Sequence, residues 1–251
     1  MSILKEIYDY KINFVSKQKE RISQKEIVNQ IKSSNNKEFI FHKKLKNEED
    51  KISIIGELKK ASPSLGKIVN KNIDLVRMAH LYEINNISCL SILTDEKYFS
   101  GSINDLIDIR KKSSLPILRK EFIVDEYQIY ESKLHGADCI LIILSMINDK
   151  DAKKFAQIAF DLEMDSIIEV HNLDELRAAQ SINSKIIGIN NRNLKNFITD
   201  INISIKLAKS YNSGDKILIS ESGFHSREDM DKIRKTTSIN NFLIGEYLMK
   251  S

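Results

Sequence analysis

The chain has 251 residues, 41% of them hydrophobic, which is enough for a large buried core. Its 39 basic and 35 acidic side chains leave a formal charge of only +4, too mild to call for a nucleic-acid partner. The two cysteines, Cys89 and Cys139, both sit in apolar runs, so buried free thiols are expected rather than a disulfide framework or a metal site.

Residues 1–45 read as helix. Ile3, Ile7, Tyr10 and Phe14 make one apolar stripe, and Ile27 and Ile31 make another. These stripes are expected to pack against the rest of the chain, with capping of an open end or contact with substrate as the alternative. The N-terminus turns polar from Lys5 onward, and no apolar run approaches the ~20 residues of a membrane helix. Neither a signal peptide nor a membrane anchor is read, and a soluble cytoplasmic protein is expected.

Eight apolar, β-branched runs follow, at 52–58, 87–93, 115–118, 139–144, 166–170, 186–189, 217–219 and 242–244. Between them the spacing turns helical. Leu75, Met78, Ala79 and Tyr82 recur at i, i+3, i+4, i+7, as do Ala152, Phe155, Ala156 and Ala159. Shorter versions occur at Tyr127, Tyr130 and Leu134, at Leu173, Leu176 and Ala179, and at Ile201, Ile205 and Ala208. Ser226 with Asp229 has the form of an N-cap opening the segment of Met230 and Ile233. Alternating strand and helix predict a parallel sheet, and eight units predict closure into a (β/α)8 barrel. The expectation is one barrel domain over residues 1–251, with residues 1–45 as an N-terminal helical extension. An open doubly wound sheet is the alternative, but it usually has fewer strands and a glycine-rich first turn, absent here.

Strands buried on both faces are close to continuously hydrophobic. Here the runs end instead in Glu57 and Lys59, Lys120, Glu169, Asn190 and Arg192, and Glu221. Recurrence at the same relative place predicts one shared mouth. Glu57 and Lys59 are two apart and so share a side of an extended chain, as a structural ion pair or an acid–base pair. Lys120, beside Phe122 and expected near other cations, would have a lowered pKa and serve as a general acid unless it points to solvent. Glu169 is expected to be paired or functional, because buried carboxylates are rare otherwise. His171 is a weaker candidate, and none of the five histidines has ligand spacing with a second His or Cys. Arg192 suits bidentate recognition of a carboxylate or phosphate; a turn with left-handed asparagines is the alternative for 190–193. Glu221-Ser222-Gly223 and Gly245-Glu246 are placed as a phosphate site after the last two strands would be, and Ser62 and Ser64 can add hydroxyls.

Together these segments resemble the indole-3-glycerol phosphate synthase family over essentially the whole chain. The resemblance rests on GELKKASPS at 56–64, LTDEKYFSGS at 93–102 and PILRKEFIVDEYQIYESKLHGAD at 116–138. It continues in EVH at 169–171, GINNRNL at 188–194, SESG at 220–223 and FLIGEYLM at 242–249. What it implies is a decarboxylating, dehydrating ring closure that gives indole-3-glycerol phosphate in tryptophan biosynthesis, without metal or organic cofactor. The partner it implies is a small phosphorylated substrate, not nucleic acid or membrane, handled by a monomer that can associate with other enzymes of the pathway.

By motif, the resemblance assigns Lys120 as the acid at the ribulose carbonyl. Glu169 and Lys59 manage proton transfers in dehydration, Glu57 positions Lys59, and Asn190 and Glu221 orient hydroxyls. Arg192 is expected near the anthranilate carboxylate or the polar network around it. Phe99, Phe122, Leu141 and Leu194 line an aromatic slot, and Ser62, Ser222, Gly223, Gly245 and Glu246 hold the phosphate. The chain departs from the family pattern at Gly56, a typical alanine, at Leu65, commonly basic, and at Glu246, frequently serine. The nearest enzymatic alternative, an isomerase barrel with a Cys/Asp pair, needs a cysteine at a strand exit, and neither cysteine is there. A non-catalytic phosphate-binding or RNA-contacting barrel is the alternative of another class.

Overall fold

A computed structural model of the chain describes residues 3–31, 39–46, 51–62, 66–67, 74–193, 198–211 and 214–250. Its barrel strands are β1 (Ser53–Leu58), β2 (Cys89–Leu93), β3 (Ile117–Lys120), β4 (Cys139–Ile143), β5 (Asp165–Val170), β6 (Ile186–Asn190), β7 (Ile217–Glu221) and β8 (Asn241–Ile244), and the short runs Ala61–Ser62 and Gly66–Lys67 pair antiparallel outside the barrel. All neighbours pair in parallel, and β8 returns to β1 through the register Ser53↔Asn241, so the sheet closes into an eight-stranded barrel. Six inter-strand helices coincide with the segments expected from spacing, from Leu75–Ile84 to Arg227–Thr236. Ile103–Arg110 is a further helix whose short apolar pattern, buried at Leu106 and Ile109, did not single it out. No helix among the described residues is long and apolar enough to cross a membrane.

Period-two alternation sorts each strand into an inward and an outward set. Outward residues such as Leu58, Leu90, Ile92, Ile140, Ile168 and Ile187 pack under the helices. Inward residues Ile55, Cys89, Leu118, Cys139, Leu141, Ile167, Ile186, Ile219 and Leu243 fill the barrel itself, so it is a packed core rather than a pore. Both cysteines are the first residues of their strands, at the end opposite the catalytic-type side chains, and burial pushes both thiols up.

The extension divides its work. Helix α3 (Ile40–Leu45) inserts Phe41 and Leu45, both essentially unexposed, into the barrel's base. The His42 backbone N–H donates to Asp165 at the start of β5 (2.9 Å), which fastens that plug. Helices α1 (Ile3–Arg21) and α2 (Gln24–Gln30) pack Val15 and Ile27 against Tyr127 on the barrel's flank. The first turns of α1 reach over the mouth. Packing and capping are thus both realised, by different helices.

Candidate active site

At the C-terminal end of the strands a cavity of about 950 Å³, counting its open mouth, is lined by Glu57, Lys59, Lys120, Glu169, Asn190 and Arg192. These come from β1, β3, β5 and β6, and the shared barrel end brings them together although the chain separates Glu57 from Arg192 by more than a hundred residues. Phe99, Phe122, Leu141, Leu93 and Ile143 form an apolar wall, with Ile3, Leu4 and Ile7 of α1 above it. The rings of Phe99 and Phe122 stand 6.1 Å apart. A second lobe, lined by Ser222, Gly223, Gly245, Glu246 and Thr199, joins the first through Glu57, Lys59 and Arg192. Leu194, Leu65 and Ser64 lie outside the described residues, and Ser62 is described only in its backbone, where it pairs with Gly66.

Lys59 donates to Glu57 Oε1 at 2.5 Å, the ion pair read from the E-x-K spacing. Lys120 donates to Glu221 Oε2 at 2.7 Å and lies 3.8 Å from Glu57 Oε2. Glu221 is fully buried, one layer beneath the cavity wall. Burial disfavours the Lys120 ammonium, but Glu221, Glu57 and Glu169 outweigh that penalty and hold its pKa above the ordinary range. This corrects the expected lowering: the groups meeting Lys120 at the mouth are carboxylates, not cations. Burial would also raise Glu57, yet Lys59 and Lys120 keep it below its usual value. Glu221 is the carboxyl whose charge is least favoured, since burial, with Glu169 and Glu57 nearby, pushes it up against the pull of Lys120.

Glu169 accepts from the Asn190 amide at 3.1 Å and lies 3.3 Å from His171 Nε2. The Asn190 side-chain oxygen accepts from the Arg192 backbone N–H (3.0 Å), and Arg192 approaches Glu246 at 3.5 Å. Asn191 ties this loop to β7 by donating to Ser220 Oγ (2.9 Å) and to the Ser222 carbonyl (3.0 Å). None of the asparagines in 190–193 adopts a positive φ, so the left-handed turn is not formed; Ser222 and Gly223 do, at 68° and 85°. Those two turn the chain into the second lobe, which they line. Among the described residues no cluster of three or more His, Cys, Asp or Glu side chains is placed to hold a metal ion.

Three features take their place only in the folded chain. Lys11 of α1, 1% exposed, places Nζ 2.7 Å from Asp95 and 2.8 Å from Glu121. Asp95 accepts from the Tyr98 N–H (2.6 Å) and Glu121 from the Phe122 N–H (2.8 Å), so one lysine braces both loops that carry the slot's aromatic rings. His171 proves to be clamped between two carboxylates. Ile3, Leu4 and Ile7 form part of the cavity wall. The apolar stripe at Ile3 and Ile7 was legible; which surface it covers was not.

The family model described as indole-3-glycerol phosphate synthase matches residues 4–251. A protein named indole-3-glycerol phosphate synthase from Legionella pneumophila (strain Lens) is 46% identical over 199 residues, which is 79% of this chain and 76% of that protein. One of the same name from Thermoanaerobacter pseudethanolicus (strain ATCC 33223 / 39E) is 41% identical over 248 residues, 99% of this chain and 92% of its own. Among solved structures, the N-acetylmannosamine-6-phosphate 2-epimerase from Clostridium perfringens superposes with a TM-score of 0.57 at 13% identity, covering 78% of this chain and 87% of that one. A chain of the tryptophan synthase complex from Pyrococcus furiosus does so at 0.55 and 13%, covering 79% and 88%. At that identity these two structures speak for the barrel fold alone.

Proposed function

The chain belongs to the indole-3-glycerol phosphate synthase family, and from that premise we propose the roles of its residues in closing the indole ring of 1-(2-carboxyphenylamino)-1-deoxyribulose 5-phosphate with release of CO2 and water. The observation that carries the reading is one cavity with an apolar aromatic wall on one side and Lys59, Lys120, Glu57, Glu169 and Asn190 on the other.

The anthranilate ring enters the slot between Phe99, Phe122 and Leu141, and the phosphate occupies the lobe of Ser222, Gly223 and Gly245. Arg192 sits where the lobes join and meets the anthranilate carboxylate; Glu246 shares its charge. As the ring carbon attacks the ketone, negative charge develops on the carbonyl oxygen. An ammonium held charged by three carboxylates stabilises that charge more than it stabilises the neutral ketone, which makes Lys120 the acid. The carboxylate then leaves as CO2 from an apolar environment that solvates it poorly. Dehydration requires a proton on the departing hydroxyl and a base for the proton lost from the ring system; Lys59 and Glu169 face the cavity for these tasks, with Glu57 orienting Lys59. Asn190 orients the sugar hydroxyls. Glu221 contributes through Lys120, whose position it fixes.

With this reading go a cytoplasmic location and a monomer able to associate with other enzymes of tryptophan biosynthesis. The test is appearance of indole fluorescence from synthesised substrate, with chelator present. Lys120→Ala is expected to abolish turnover while leaving substrate binding, and Glu169→Gln to slow it about 100-fold or more. Full turnover in both variants overturns the assignment.

A further inference from the structure

His171 leaves β5 directly after the pair Glu169–Val170 and does not line the cavity. Its Nε2 lies 3.3 Å from Glu169 Oε1, and its Nδ1 lies 3.2 Å from Glu175 Oε2, in the first turn of the helix Leu173–Gln180. Glu175 is itself fixed. The His171 backbone N–H donates to the same Oε2 at 2.8 Å, and Asn172 donates to Oε1 at 2.6 Å while capping the Glu175 N–H at 3.0 Å. The imidazole is thus hydrogen-bonded to Glu175 at Nδ1 and has the Glu169 carboxylate within ion-pair distance of Nε2, and two carboxylates this close favour the doubly protonated ring.

We propose that His171, anchored by Glu175, is a positioning residue that keeps Glu169 in its carboxylate form and aims it at the cavity, so that Glu169 starts the cycle as the base and Lys120 as the acid. This rests on the reading of Glu169 as a proton-transfer group and settles which of its two forms begins the reaction. A glutamate so deeply buried would ordinarily be protonated near neutrality. Burial indeed opposes its charge, but His171, Lys120 and the Asn190 amide together outweigh that penalty, His171 contributing most among them, and Glu169 stays below its usual range. Burial likewise works against the imidazolium, and Glu169 and Glu175 together carry it up to about 10. Across the barrel Lys120 from β3 and Glu221 from β7 face Glu169 with opposite charges and are paired to each other, which leaves His171 as the cation committed to this carboxylate.

The full-length protein is assayed as His171→Gln and Glu175→Gln across about pH 5.5–9.5, with folding checked by circular dichroism. The acid limb of the kcat profile is expected to move up by about one pH unit in His171→Gln and by less in Glu175→Gln, with activity recovering on the alkaline side and KM within about twofold. A limb that stays at its wild-type position in His171→Gln, whether the rate is unchanged or uniformly lowered, overturns the proposal. Nitrogen-15 spectra add a check free of turnover: both His171 ring nitrogens should remain protonated at pH 8 in the unaltered protein, and a neutral ring there is equally fatal. Glu169→Gln separates the levels. If it is inactive while the limb is unmoved, only this inference falls; if it is active, the base assignment falls with it.

Discussion

Gly188 shows how much a missing methyl group matters at the mouth. It points inward from β6, and a Cβ built there would stand 2.0 Å from Glu221 Oε1 and 2.9 Å from Ile167 Cγ2. The Glu221 carboxylate, and through it the Lys120 ammonium, occupies space that any side chain at 188 would fill. Gly188→Ala should therefore lower kcat about 10- to 100-fold and cost about 1–3 kcal/mol of stability, read from product formation and from urea unfolding. Wild-type kcat in that variant would mean that Glu221 has room to spare. Gly56 answers the same kind of constraint on the outer face, since a Cβ there would meet the Tyr82 ring at 2.5 Å; the departure from the family's usual alanine is matched to that tyrosine. Glu246, another departure, lies 3.5 Å from Arg192, which can share its charge. Ionisable residues at strand ends were legible because they interrupt apolar runs. Their partners were not: Lys120–Glu221 spans 101 positions, and no local pattern encodes such a pairing.

At the scale of elements, α1 carries the clearest departure from expectation. Its apolar stripe announced an amphipathic helix, but Lys11 lies among the polar spacers and would pass for a solvated residue. Instead it is buried against Asp95 and Glu121, where each carboxylate also holds a backbone N–H beside an aromatic wall residue. Removing this cation takes the buried Asp95 and Glu121 carboxylates out of their 2.7 and 2.8 Å ion pairs and leaves Glu121 with Arg119 only at 4.0 Å. Lys11→Met is expected to lose about 3–5 kcal/mol in denaturant unfolding and, where still folded, to raise KM as Phe99 and Phe122 lose their aim. Unchanged stability and KM would show that α1 rests on the mouth without bracing it. Elsewhere strand limits differ from expectation by a residue or two: Lys120, Asn190 and Glu221 are the last residues of their strands rather than one or two positions beyond runs ending at 118, 189 and 219. A polar side chain does not end a strand, because the backbone ladder continues under it.

The whole molecule shows its ion clusters in the pH dependence of stability. His171 is raised from 6.5 to about 10 by folding. Above 6.5 the unfolded chain has released this proton while the folded chain retains it, so the contribution is complete below pH 6.5 and lost as pH rises towards 10. His135 works in the opposite sense. Burial lowers its pKa, so protonation below 6.5 favours the unfolded chain. The melting temperature is accordingly expected to fall from pH 6.5 to pH 9.5 in the unaltered protein, and to fall less steeply in His171→Gln. Parallel profiles for the two would remove His171 as a source of that slope.

The order of strands and helices, the closure into a barrel and the family were determined by the linear sequence, because period-two and period-3.6 burial and the family's motifs are local properties of neighbouring residues. So was the list of polar groups at the mouth, each one an interruption of a hydrophobic run. The tertiary structure alone decided who meets whom. It turned an expected low-pKa lysine into one ringed by carboxylates, sank Lys11 and set His171 between two carboxylates. Electrostatics in a desolvated site follow from distances of a few ångströms between groups from different strands, and those distances exist only once the barrel has closed.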